Sequence, residues 1–571
     1  MFTNIIKIVL CLLFFNAYTI TETFAKISKF YHSKDEISNY FLGSLLFNAK
    51  QPNDALIYFD KVNDNMTNYD LFNQKYIETL VNLGKFNKAF SHLRKVNNKK
   101  TNLYEFNLLL GIQAFKNNNY ILAKKYFKKM SQSKNYTDLL QMNLDNFLLS
   151  WTYVALDNKE LAYALINNVG DELKTIKLIQ KTLVDCAFES KNTIQSFNLL
   201  LDSKSTSTDF SRYNFFLANV LLHNGDVNFA KKILVNAIES SPGNLLINQT
   251  LEDLKMNKIS KIKDKFNCQN VNHNVSEFFY LISNLYSSQA DYITSNYYFN
   301  ISNLLNPNFN SNRTLFAENL MQLKQYDDAF KEYSYIVNIG KKYFWHATKN
   351  KAFIIEEKKS LKESIIFLEN EFKKIRNPNY KILYDLANFY RAGEQYEDAI
   401  KIYNQILELV DDNHAITPQI YFKRGSCYEV LKKYDLSDKD LEKSLSLSSE
   451  SAYVLNYLAY SWLERRINIQ KSIDMLEKAN DLKKNDPYII DSLGWGMYLI
   501  NEYKKAEKLL RKAVEMVPQE AVVIDHYGDV LWKMNRNLQA IYSWKYAYNL
   551  EDADQKIKDS ISQKLVFGIP D

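Results

Sequence analysis

Residues 493–518, LGWGMYLINEYKKAEKLLRKAVEMVP, place a small residue, Gly494, twelve positions before another, Ala506. Leu510, Ala513 and Pro518 follow at fixed distances. The same ruler fits from Gly43 (Ala55, Phe59, Val62), Gly111 (Ala123, Phe127, Met130) and Ala218 (Ala230, Leu234, Ala237, Pro242). It also fits from Ser283 (Ser295, Phe299, Ser302, Pro307), Ala317, Ala387 and Gly528 (Ala540, Trp544, Ala547). Looser fits start at Ile77, Ser150, Val184, Ala352, Gly425 and Tyr460, which brings the total to about 14 units. Successive starts lie 34 residues apart from Gly43 to Ile77 to Gly111, and again from Gly494 to Gly528.

Helix crossing explains the pattern. Each unit is read as a helix–turn–helix in which small residues let two backbones approach, while the apolar pair that follows fills the same helical face. Proline ends the second helix. A single hairpin cannot bury both faces, so neighbours must stack. Composition agrees: 13 Gly and 8 Pro in 571 residues leave little turn chemistry for a β fold, and 14% aromatic residues supply apolar area for many helix faces.

On spacing and residue type these units resemble tetratricopeptide repeats, over roughly residues 36–552. The resemblance implies an all-α, right-handed α-solenoid. The expected organisation is an array over 26–258, a polar Asn/Lys-rich linker over 259–275, a second array over 276–552, and a capping helix and tail over 553–571. Between Ala218 and Ser283 the ruler leaves 31 residues over, which is why the break is placed there.

Residues 1–25 have the layout of a secretory signal: Lys7, the apolar run Ile8–Phe15, and Thr23-Phe24-Ala25 before a cleavage point. The run is shorter than the ~20 residues a bilayer span needs. Export, with a periplasmic address, is expected; an uncleaved anchor is the alternative. Cys11, Cys186, Cys268 and Cys427 are far apart, without metal-ligand spacing. Three would remain after cleavage, which argues against a disulfide framework and leaves room for one bridge. The Asn-x-Ser site at Asn300 falls on a second helix, where a glycan would not fit.

No P-loop, GxSxG, HExxH or glycine-rich dinucleotide turn occurs, and the seven histidines are scattered, so no enzyme, cofactor or metal site is expected. The adjacent Asp525-His526 would point in different directions on a helix. The resemblance implies a non-catalytic scaffold that takes a protein or extended peptide along its first helices. The expected groove residues are Tyr384, Asn388, Arg391, Phe422, Tyr457, Ser461, Tyr488, Asp491, Trp495, Tyr498, Asp525, Asp529 and Trp532. Aromatics beside carboxylates suit a segment with apolar and basic side chains. Trp495 and Trp532 would otherwise pack between repeats, and Asp525 and Asp529 would otherwise form a solvated face. The formal charge of +7 is spread along the chain. A nucleic-acid-binding helical repeat is therefore the weaker alternative, beside an accessory role in polysaccharide export or wall building.

Overall fold

The computed structural model describes residues 33–62, 68–97, 103–130, 132, 139–203 and 210–569. The leader at 1–25 lies outside them. Among the described residues there are 31 α-helices and no strand. Consecutive helices pack as antiparallel-type pairs, as the ruler requires. The chain divides into two compact units, 1–351 and 352–571.

The small residues do what their spacing predicts. Where the first is serine, its hydroxyl reaches the partner backbone twelve residues on: Ser150 Oγ donates to the Ala162 carbonyl (2.8 Å) and Ser283 Oγ to that of Ser295 (2.9 Å). Where it is glycine, the aromatic or leucine sixteen residues on lies over the missing Cβ. A Cβ on Gly111 would stand 2.3 Å from the Phe127 ring, and one on Gly43 2.6 Å from Phe59. Seven residues after the small one, the turn enters the left-handed region at Lys50, Gly84, Asn118, Asp157, Gly225, Ala290 and Lys324 in the first unit.

That turn marker corrects the sequence reading in three places. The expected linker at 259–275 holds the second half of a repeat and the start of helix Val271–Ser288. Helix Leu245–Lys255 carries Thr250, the left-handed turn is Asn257, and Ile262 and Phe266 are fully buried in the places of the second small residue and the ring. Its second helix, Ile259–Lys263, is only five residues long, so no helical period was there to read. The unit around Val184 is displaced: Glu189 is the left-handed residue, which makes buried Thr182 the small one. The unit around Tyr460 centres on Ala459 and has an extra turn residue, with both Arg466 and Asn468 left-handed.

In the first unit the array curls back on itself. Helix Tyr292–Leu305 lies against helix Asp70–Asn82, where Asn300 Nδ2 donates to the Asn82 carbonyl (2.9 Å). Asn300 is thus buried in a helix contact. Helix Val271–Ser288 sets Phe278 against Phe147 of helix Leu139–Ala155, ring centroids 5.0 Å apart. Its Glu277 takes a two-pronged bond from Arg212 (2.7 and 2.9 Å). The face formed by the early first helices is therefore occupied by the chain's own later helices. Cys186, on helix Lys174–Ala187, is bridged to Cys268, with Cα atoms 5.8 Å apart. This is the single bridge the cysteine count left room for; Cys427 is a buried free thiol.

In the second unit successive first helices Ala452–Glu464, Pro487–Leu499 and Ala521–Lys533 pack side by side. Ala506, Leu510 and Ala513 are fully buried, as are Ala540, Trp544 and Ala547. The final helix, Gln555–Phe567, is capped by Asp554 and inserts Ile561 beside Trp544.

Candidate partner-binding groove

The expected groove residues all lie in the second unit, on first helices. Tyr384, Asn388 and Arg391 share one face of helix Tyr380–Ala392, whose first turn is held by Asn379 accepting from the Lys381 and Ile382 amides. Arg391 is exposed, while Tyr384 and Asn388 are half-buried. Lys423, from helix Thr417–Val430, donates to Asn388 Oδ1 (2.9 Å) and stands 5.4 Å over the Tyr384 ring. Burial, reinforced by Arg391, lowers the Lys423 pKa. Burial also pushes the nearby Cys427 thiol up to about 11, so it is no thiolate at neutral pH.

Phe422 and Tyr457 meet edge to face at 5.5 Å, and Tyr457 donates to Glu429 (3.3 Å). Both rings are half-buried. Ser461, on the helix of Tyr457, is buried and does not reach the groove surface.

Next along the unit, Tyr488 is 53% exposed. Trp495 is half-buried, lies parallel to Tyr498 at 4.8 Å, and donates its indole N–H to exposed Glu464 (3.0 Å). Its other neighbour is His526, stacked at 4.4 Å. His526 Nδ1 is 3.0 and 3.1 Å from the two Asp491 oxygens, and both residues are buried. Burial alone would lower the His526 pKa. The Asp491 charge and hydrogen bond, with Asp525 and Asp529 behind them, outweigh it and raise the pKa. The pair is thus a buried, hydrogen-bonded carboxylate and imidazole under an indole.

The acidic end is closed by the chain itself. Lys564, from the final helix, lies 2.8 and 2.9 Å from the Asp525 oxygens and 2.7 and 2.8 Å from those of Asp529. Asp529 also accepts from the Trp544 indole (3.0 Å). Burial and neighbouring Asp525 hold its carboxyl up at about 6 against the pull of Lys564. Trp532 packs on Trp544 at 5.3 Å and beneath Gly568, where a Cβ would stand 2.2 Å from its ring.

The thirteen expected residues therefore separate. Tyr384, Asn388, Arg391, Phe422, Tyr457, Tyr488, Trp495 and Tyr498 retain exposed surface on the first helices. Asp491, Asp525 and Asp529 do not offer free carboxylates, because His526 and Lys564 already satisfy them. Ser461 is interior, and Trp532 is packing. Sequence reasoning missed Lys423, Glu464, His526 and Lys564. A signal for one existed: acids stand three places before both Gly494 and Gly528, and the basic residue in the tail can reach the second. Asp491–His526 joins residues 35 apart, so adjacency to Asp525 was the wrong clue. Among the described residues, no group of three or more His, Cys, Asp or Glu is placed to hold a metal ion, and no helix is long and apolar enough to cross a membrane.

The sequence profile of the tetratricopeptide repeat matches residues 380–412 and 418–451, the helix pairs that carry Tyr384 to Phe422. A tetratricopeptide-repeat-containing protein of Pseudomonas aeruginosa is 32% identical over 100 residues, 17% of this chain and 17% of that protein. The match thus spans far less than two thirds of that relative. Among solved structures, a chain of the APC/C hetero-tetramer Cut9–Hcn1 is similar over 81% of this chain and 96% of its own, at 14% identity and a TM-score of 0.36. YrrB, described as a tetratricopeptide-repeat protein with an unusual peptide-binding site, is similar over 34% of this chain and 97% of its own, at 16% identity and a TM-score of 0.27.

Proposed function

From the tetratricopeptide-repeat profile matched at residues 380–412 and 418–451, we propose that the second unit holds an extended segment of a protein partner along its first helices, as a scaffold without chemistry of its own. The observation that carries this reading is the run of half-exposed aromatics, Tyr384, Phe422, Tyr457, Tyr488, Trp495 and Tyr498, on helices that pack side by side. Rings fixed by neighbours on one edge and open on the other bury apolar area in a partner at little entropic cost. Charge changes along the same line, from Arg391 on helix Tyr380–Ala392, through Lys423 and Glu429 together on Thr417–Val430, to Glu464 on Ala452–Glu464. A partner segment would therefore bind in one direction, acidic side chains toward Arg391 and basic ones toward Glu464. The corresponding face of the first unit is filled by helices Val271–Ser288 and Tyr292–Leu305.

The working place is outside the cytoplasm, in envelope assembly, after removal of a leader ending at Ala25. The Cys186–Cys268 bridge supports that address, since such bonds persist in oxidising compartments.

A photo-crosslinking residue at Tyr488 should capture a discrete partner in living cells. The same residue at Lys508, exposed on a second helix, should not. Trp495→Ala should reduce capture while helicity stays unchanged. Identical adducts from both positions, or a Trp495→Ala protein that unfolds, would remove the groove assignment. N-terminal sequencing of the secreted chain tests the address: a retained Met1 overturns the leader.

A further inference from the structure

A second cavity, unrelated to the groove, lies in the first unit and encloses about 330 Å³, at the lower end of the range for small-molecule sites. It opens between helices Asp70–Asn82, Tyr104–Lys116 and Tyr292–Leu305, where the array has closed on itself. Its polar wall is rich in acceptors, and the exposed Lys50 is the one cation among the lining residues. Glu78 and Glu105 both face it, and the Gln74 side-chain amide donates to each (3.2 and 3.0 Å), which holds the two carboxylates together. Among the described residues neither has a cation within ion-pair distance. Lys75, on the same helix as Glu78, is turned over the Phe47 ring at 6.0 Å.

Two further groups are left open there. Asn82 spends its N–H on the Glu78 carbonyl (3.0 Å), while its Oδ1 has no partner although the residue is only 6% exposed. The Tyr297 hydroxyl is also unpartnered, at 7% exposure. A buried polar atom with no partner is costly, and burial together with the neighbouring Glu105 holds the Glu78 carboxyl up at about 7, so an added cation would be favoured there. A group presenting several N–H donors and one positive charge would satisfy all four acceptors at once. Of the aromatic walls, Phe47 already meets Lys75 and Tyr298 stacks on Phe279 and Tyr286; Tyr104 is the ring a cation could approach. Asp291 also lines the cavity, but among the described residues no third His, Cys, Asp or Glu is placed with these two carboxylates to hold a metal ion.

We propose that this cavity binds a small organic cation, an alkylammonium or guanidinium group, between Glu78 and Glu105, with Asn82 Oδ1 and the Tyr297 hydroxyl completing its hydrogen bonds.

Calorimetric titration of the full chain with cadaverine and with agmatine tests it. One-to-one binding is expected. Glu78→Gln and Glu105→Gln, which keep the shape and remove the charge, should each weaken it by about tenfold or more. Tyr297→Phe should weaken it several-fold, and neutral 1,5-pentanediol should not bind. A capped Gly-Lys-Gly peptide separates the sources: binding as tight as cadaverine means a side chain of a partner protein, and binding of the free amines alone means a metabolite. Either result supports the site. Should a glutamine variant fail to fold, carbodiimide labelling of the unaltered chain gives the answer, because agmatine should protect Glu78 and Glu105. Equal binding of cadaverine and pentanediol, indifference to both glutamine variants, or tighter binding of magnesium at the same carboxylates would overturn the proposal.

Discussion

Lys564→Met removes the cation that closes the acidic end of the second unit. The three side chains are largely withdrawn from water: Lys564 is 17%, Asp525 13% and Asp529 6% exposed. Breaking a buried pair from one side leaves the other charge uncompensated, which costs ~3–5 kcal/mol. With two carboxylates left behind, and some solvent reaching Lys564, the lower end applies, about 3 kcal/mol. That loss falls on the docking of helix Gln555–Phe567 and not on the whole chain, because each repeat touches only its neighbours. Hydrogen exchange read by mass spectrometry is the suitable assay. Amides of Gln555–Phe567 should exchange ~10²-fold faster, at ~1.4 kcal/mol per decade. Adding Asp529→Asn should restore at least half of the protection. The neutral amide removes one charge and still accepts from the Trp544 indole, 3.0 Å away. Unchanged exchange in Lys564→Met would refute the argument, since the final helix would then dock without its ion cluster.

Reducing Cys186–Cys268, or replacing both by alanine, should destabilise the first unit by up to about 4.5 kcal/mol, the loop-closure figure for an 82-residue separation; urea unfolding checks it. His526 gives a pH dependence. Its folded pKa is raised, so its contribution is complete below the unfolded value of about 6.5 and is lost as pH rises through the folded one. Raised Asp529 acts in the same sense but at lower pH, between 3.8 and about 6, so the trend above pH 6 belongs to His526. Exchange protection of helices Pro487–Leu499 and Ala521–Lys533 should therefore fall as pH rises from 6 to 8 (after correction for intrinsic rates), and His526→Phe should flatten the trend. Gly528→Ala would place a Cβ 2.4 Å from the Trp544 indole nitrogen. The overpacking should cost ~1–3 kcal/mol, seen as a lower melting temperature, whereas Gly243→Ala, with nothing within 4 Å, should melt as the native chain does.

The repeat was most legible at units such as Gly43, Gly111 and Gly494, where a glycine on the first helix marks the close approach of two backbones. It was illegible at Thr250, whose hydroxyl folds back onto the Leu246 carbonyl (2.7 Å), and whose partner helix is too short for a period. At Arg466 and Asn468 one added residue in the turn moved the ruler, so Tyr460 was chosen over Ala459. The site was legible in its rings and illegible in its charges. A helix face shows which residues share a side, so Tyr488, Trp495 and Tyr498 could be grouped. It does not show which charge from another helix answers Asp491 or Asp529, and His526 and Lys564 answer them from 35 residues away. The curl of the first unit was also invisible, since Asn82 and Asn300 are 218 residues apart and nothing local links them.

That separation has a consequence during synthesis. At ~5–20 residues per second, a ribosome needs roughly 10–40 s to pass from Asn82 to Asn300. Throughout that interval helix Asp70–Asn82, joined once it is made by helix Leu139–Ala155, waits with an uncovered surface. A nascent chain of this kind is a natural client for holding chaperones, and its yield should depend on them far more than that of a straight array of equal length.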